Sequence, residues 1–334
     1  MGEPKAVDVE IHSSMEKSAI NVDENEIKEA YYKAMSAYEN EMTFDDFHNP
    51  IGTYDYSLVG ENETYFYEQT ADDSVRPHMD IFVLSDEEKL AQKTDYAERL
   101  LAEMGMARSS TGYFGKMYVE NTTKMPSSCS VLLPANSSIS VNNGYLYIYG
   151  GFSGGQGKPA LGSVEADLGL QYSNEYHLWR GYMLVAGDIG YFLSNYSNAT
   201  YKNGYLPNTT VSIVSITYNT NRDLNGNNTN TLGSVVLKVY GTAKYADKLG
   251  NGGNTPLTTI MESNNALKLT SVKTHKWVVT LSGDANTTGH NIGKFSNVSV
   301  DGIVQPSSAF NQKEDGTVTF SGISKGAFTI DVRH

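Results

Sequence analysis

The chain has 334 residues, with 25 basic and 38 acidic side chains and a net charge of −13. That length buries a core without help from disulfides or metals, and a single cysteine, Cys129, excludes an intramolecular disulfide. So acidic a chain lacks the lysine and arginine density that phosphate contacts demand, which argues against nucleic acid as a partner. No apolar run approaches the roughly 18–20 residues needed to span a bilayer, so no membrane insertion is expected.

The charge is uneven. Residues 1–107 hold 25 acidic and 8 basic side chains, a net −17, whereas residues 108–334 hold 13 and 17, a net +4. Such a break divides the chain into units with different surfaces. We read a loose N-terminal segment over 1–20, an acidic α+β unit over 21–107 and an all-β domain over 108–334. The asymmetry further suggests that the acidic unit docks on the second and covers its site, as a pro-segment would.

A helix is predicted from 24 to 42. Asp23 can cap it, with Glu26 as the reciprocal partner, and Ile27, Tyr31, Ala34, Met35, Tyr38 and Met42 fall on one face. Thr53–Val59, Thr64–Glu68 and Asp80–Leu84 alternate as short strands. Ser85 and Glu88 make a capping box that opens a second helix, whose inner stripe is Leu90, Thr94, Ala97, Leu101 and Met104.

After residue 108 the pattern becomes short alternating runs punctuated by Gly and Asn, the signature of a sandwich or barrel. The clearest are Val141–Tyr149, Ala166–Tyr172, Tyr182–Val185, Thr210–Tyr218, Ser234–Tyr240, Lys276–Leu281, Phe295–Val300, Val318–Ser321 and Ala327–Val332. Gly150–Gly155 reads as a flexible loop between two of them. Asn221–Asn227 begins like a calcium loop, but position 12 is Leu232 where a bidentate Glu is needed, so a hairpin turn is the simpler reading.

The densest polar cluster runs from Glu165 to Tyr182. On a strand, Glu165, Asp167 and Gln171 share one face, with Leu168, Leu170 and Tyr172 on the other. Trp179 and Tyr182 follow. Rings that stack on pyranose faces, with carboxylates and amides to take hydroxyls, make a carbohydrate-binding face. The candidate ligand-binding residues are therefore Trp179, Tyr172, Tyr182, Gln171, Glu165 and Asp167, although alternation forbids all six from sharing one face. The same residues also fit a core tryptophan beside a solvated strand face.

Glu165-x-Asp167 resembles the start of a laminarinase-type glycosidase motif, but its second Glu is missing. Catalysis would need Glu175, or another acid, to approach from the next loop. The seven His show no metal-ligand spacing, Asp45-Asp46-Phe47-His48 reads as a solvated turn, and Cys129 as a structural thiol in a strand. No catalytic residue, metal or cofactor is assigned.

Five segments in order carry a family resemblance: Tyr147–Gly155, Glu165–Ser173, Trp179 with Tyr182-Met183, the Leu224–Asn227 turn with Lys276-Trp277, and Phe295–Asp301. Together they resemble the YrpD family of secreted bacterial proteins over residues 110–334. The resemblance implies export and a mainly β fold, a concanavalin-like jelly-roll sandwich, and it implies no activity. Met1–Lys5 has no apolar leader core, so a removed leader and a secreted or cell-surface location are expected. The leading function is non-catalytic binding of a polysaccharide or cell-wall glycan. Its rivals are a structural or protein-binding envelope component and an unusual glycosidase or lyase.

Overall fold

The computed structural model describes residues 7–42, 46, 51–71, 75–92, 94, 112–120, 125–156, 163–187, 190–194, 203–217, 234–246, 251–264 and 269–334. The fold is mainly β. The N-terminal part holds β1 (Asp8–His12), α1 (Glu24–Glu41), β2 (Thr53–Val59), β3 (Glu63–Thr70) and β4 (His78–Val83). Then follow β5 (Tyr113–Glu120), β6 (Ser127–Leu132), β7 (Ser140–Gln156), β8 (Ser163–Ser173), β9 (Leu178–Gly187), β10 (Gly190–Ser194) and β11 (Thr210–Thr217). The remaining strands are β12 (Val235–Ala246), β13 (Asn251–Ser263), β14 (Leu269–Val300), β15 (Ile303–Val304), β16 (Asn311–Asp315), β17 (Thr317–Ser324) and β18 (Ala327–Arg333).

All 18 strands belong to one mixed sheet, and β14 folds it into two layers. Its first half pairs with β7 on one side and β5 on the other; its second half pairs with β6 and β18. The register against β7 shifts between Gly283 and Thr288, where β14 passes from one layer to the other. The first layer runs β10-β9-β8-β7-β14-β5-β16. The second runs β1-β4-β3-β2-β13-β12-β11-β6-β14-β18-β17. Trp179 and Trp277 of the first layer and Ile213, Leu237 and Met261 of the second lie in one apolar core, so the layers face each other. Tyr205 bridges Trp179 and Ala243 across them, and its hydroxyl donates to Val239 O (2.9 Å) and Thr259 Oγ1 (2.8 Å).

The composition break near residue 107 is not a break in the sheet. β2 pairs in parallel with β13, Tyr56 opposite Ile260. Among the described residues the pairings of β5 to β18 with one another are antiparallel, and the two parallel pairings both involve N-terminal strands. α1 covers the outer face of the second layer. Its expected stripe of Ile27, Tyr31, Ala34, Met35, Tyr38 and Met42 packs on Tyr54, Tyr56, Tyr65, Tyr67, Val236 and Ile260. Asp23 caps it by accepting from Asn25 N at 2.8 Å. Glu26 does not close the box, because it accepts the Tyr65 hydroxyl instead, at 3.2 Å. At the other end Glu41 pairs with Lys238 and accepts the Tyr240 hydroxyl at 2.5 Å. The acidic unit thus docks on the second layer, away from Glu165 and Asp167.

Other local expectations change. The segment read as loose contains β1. Ser85 and Glu88 do form the capping box (2.7 and 3.2 Å), and residues 86–92 are helical; Ala97, Leu101 and Met104 lie outside the described residues. Lys276–Leu281 and Phe295–Val300 are two parts of β14. Gly150–Gly155 is not a loop but strand, paired to both β8 and β14, because backbone bonds on two sides hold glycines that alone would be mobile. Among the described residues no helix is long and apolar enough to cross a membrane.

Candidate functional site

The β8–β9 hairpin and its neighbours β7 and β14 separate the six sequence candidates. Tyr172 and Trp179 point into the shared core, with ring centroids 5.2 Å apart. Trp179 has 0% exposure, so no ligand can stack on it. Glu165, Asp167, Gln171 and Tyr182 lie on the opposite, outer face of the first layer, where Asp167, Gln171 and Tyr182 are themselves buried by their neighbours. Alternation along β8 dictates this split: Val164, Ala166, Leu168, Leu170 and Tyr172 fill the core, which turns the odd-numbered positions outward.

Cross-strand register assembles the outer face in rows. In one row Lys276, Gly151 and Asp167 are neighbours across β14, β7 and β8. Gly151 has no side chain to block the way, and an added Cβ would sit 1.9 Å from Ala166 O and 3.3 Å from Lys276 Cε. Lys276 therefore crosses β7, contacts Glu165 and reaches Asp167 at 2.6 Å. Its side chain is 5% exposed, against 18% for Glu165 and 12% for Asp167. A mostly buried cation thus holds two carboxylates together, as burial of charge requires.

In the next row Tyr149, Gly169 and Tyr182 are neighbours, and the gap at Gly169 lets the two rings approach to 6.2 Å. Tyr147 lies 4.7 Å from Tyr182 and 6.5 Å from Tyr145, and its hydroxyl accepts from Gln171 Nε2 at 3.1 Å. Arg180, opposite Gln171, stacks on Tyr176 at 4.5 Å. Tyr145, Tyr147 and Tyr149 thus form a ladder on one face of β7, with Tyr145 54% exposed. The ladder was not among the sequence candidates. Its signal, Tyr at every second position of a strand, was present; Lys276, more than a hundred residues away, had none.

The geometry removes the route to glycosidase chemistry that Glu175 offered. Glu175 lies in the β8–β9 turn, whereas Glu165 sits eight residues back from Ser173 along β8, roughly 26 Å at about 3.3 Å per residue. Lys276 is moreover seated against both Glu165 and Asp167. Cys129 is buried in β6, and burial pushes its thiol up to about 12 despite a hydrogen bond from Trp277, which leaves it unreactive. The Asn221–Asn227 turn lies outside the described residues, as do Asp45 and His48.

A family model described as "Domain of unknown function, YrpD" matches residues 108–332. The chain belongs to the YrpD family. A 94-residue stretch is 38% identical to the protein named Uncharacterized protein YrpD of Bacillus subtilis (strain 168), covering 27% of this chain and 34% of that one. The matched stretch thus spans about a third of that relative's length. The YrpD segment contains the β8–β9 hairpin, the tyrosine ladder and Lys276. It excludes α1 and β1–β4, although β2 continues the YrpD sheet through β13.

Proposed function

We propose that this protein is an exported, non-catalytic binding protein of the cell surface or envelope that holds a polysaccharide or cell-wall glycan on the outer face of its first layer. The observation that carries the reading is exposed Tyr145 with half-buried Tyr149, backed by buried Tyr147, Tyr182 and Gln171, next to the Lys276–Glu165–Asp167 cluster. Aromatic rings take the apolar faces of sugars, and amides and carboxylates take their hydroxyls. With Glu165 and Asp167 engaged by Lys276, their role is to order the face rather than to attack a glycosidic bond. The scaffold in this reading is a jelly-roll sandwich, supported by the antiparallel pairing of β5 to β18 around one core. Export is supported by membership of the family and by the Asn-, Ser-, Thr- and Tyr-rich composition after residue 108.

The test is a glycan array plus pull-down on insoluble polysaccharides and cell-wall fractions. It compares the intact protein with Tyr145→Ala and Tyr149→Ala, both at sites open enough to spare the core. Saturable binding that weakens about tenfold or more in these variants fits an aromatic hot spot. No saturable binding to any glycan, or binding that both variants keep in full, sinks the proposal. One observation favours a second reading: with Trp179 and Trp277 both buried, the tyrosine face can pack against a protein in a structural role. In that case the protein would co-purify with an envelope protein, and Tyr145→Ala would abolish that association instead.

A further inference from the structure

β1 is an edge strand whose residues face mostly solvent. It pairs in parallel with β4, Glu10 opposite Asp80 and His12 opposite Phe82. Residues two apart share a face, so Glu10 and His12 of β1 meet His78 and Asp80 of β4 on one side of the sheet. Asp80 is 1% exposed, yet its Oδ1 lies 2.7 Å from His12 Nε2 and 2.9 Å from His78 Nε2. Glu10, His78 and Asp80 each place a potential ligand atom within 4.8 Å of the others. The His12 ring stacks on Phe82 at 5.0 Å, which fixes its direction. Both imidazoles keep partial exposure, 19% and 15%, which leaves an entry path.

We propose that Glu10, His78 and Asp80 bind one divalent transition-metal ion of the zinc type, with His12 orienting the Asp80 carboxylate. An imidazole nitrogen with two carboxylates forms a mixed N/O donor set, which suits zinc and its neighbours. Calcium and magnesium prefer all-oxygen sites, so they fit this set poorly. His12 Nε2 and His78 Nε2 both meet Asp80 Oδ1, so His12 holds the carboxylate while His78 stands with Glu10 and Asp80 as a ligand. His78 would present Nε2 to the metal and carry its remaining proton on Nδ1, while His12 would keep its hydrogen bond to Asp80. The ion would clamp β1 to β4, so metal binding and the order of the edge strand become linked.

The test is calorimetric titration of the full chain, stripped of metal by a chelator, with zinc chloride. One saturable equivalent is expected. Loss of an outer-shell partner in His12→Ala should cost on the order of 10- to 100-fold in metal affinity, and loss of a ligand in His78→Ala at least about 100-fold. His290→Ala, which removes a different His–carboxylate pair (His290 with Asp331, 3.0 Å), should leave binding intact. Hydrogen exchange at residues 8–12 should slow when zinc is added. Circular dichroism checks folding; if His78→Ala fails to fold, His12→Ala on the exposed edge strand carries the test. Absence of a one-equivalent isotherm, or full affinity retained in a folded His12→Ala variant, overturns the proposal.

Discussion

The two layers of this protein each present a tyrosine-rich outer face, and the two faces are put to different ends. On the second layer Tyr54, Tyr56, Tyr65 and Tyr67 lie under α1 and are almost fully buried. Their hydroxyls find fixed partners: Ala34 O for Tyr54, Glu262 for Tyr56, Glu26 for Tyr65 and Gln69 for Tyr67. On the first layer the ladder grades from exposed Tyr145 through half-buried Tyr149 to buried Tyr147, beside a lysine that ties two carboxylates. The same residue type on the same pleated surface is a core component where a helix supplies a lid, and a contact surface where a ring such as Tyr145 stays open. What decides is the element packed above the strand, not the strand.

The sharpest way to break this comparison is to truncate one tyrosine on each face. Tyr54→Ala should lose about 3–5 kcal/mol, the range for removing a large buried aromatic. Tyr145→Ala should stay within about 0.5 kcal/mol, as surface changes do. Urea denaturation measures both, and equal losses would erase the distinction. Next comes the charged cluster. Lys276→Met leaves two partly buried carboxylates facing each other and should cost about 2–4 kcal/mol. Adding Glu165→Gln and Asp167→Asn to it should restore most of that loss; no recovery would mean that the lysine stem, not its charge, matters.

The helix-covered face also predicts a pH limit. Burial, reinforced by neighbouring Tyr67 and Glu41 for Tyr54 and by Glu262 for Tyr56, holds both phenols well above their usual value near 10. The unfolded chain ionises first, so the stabilisation is fully present below pH 10 and is lost as pH rises beyond it. Urea midpoints should therefore be flat approaching pH 10 and fall above it, and Tyr56→Phe should make that fall shallower. A midpoint unaffected up to pH 12 would contradict the assignment. The smallest effect concerns the lid itself: Asp23→Ala removes the cap of α1 and should cost about 1 kcal/mol in thermal melts.

Much of the secondary structure is legible in the sequence for local reasons. Period-2 alternation gives β2 and most strands after residue 127, and i, i+4 spacing with Asp23 gives α1, because side-chain direction follows the backbone repeat. Core-facing Leu168, Leu170 and Tyr172 were separable from outward Glu165, Asp167 and Gln171 on the same basis. Composition suggested a boundary at residue 107, whereas β2 pairs with β13 more than 190 residues away. Gly150–Gly155 looked like a loop since glycine has no local preference for a strand; neighbours on both sides impose one.

What the sequence alone determined is therefore the membership of the chain in a mainly β family, the faces of its strands and the cap of its helix. All of these depend on residues a few positions apart. Tertiary structure alone decided that Trp179 is core, that Lys276 crosses at Gly151 to reach Glu165 and Asp167, and that His12 reaches Asp80 beside His78. Each of those contacts joins residues far apart in the chain, through strand pairings whose partner and register no local pattern encodes.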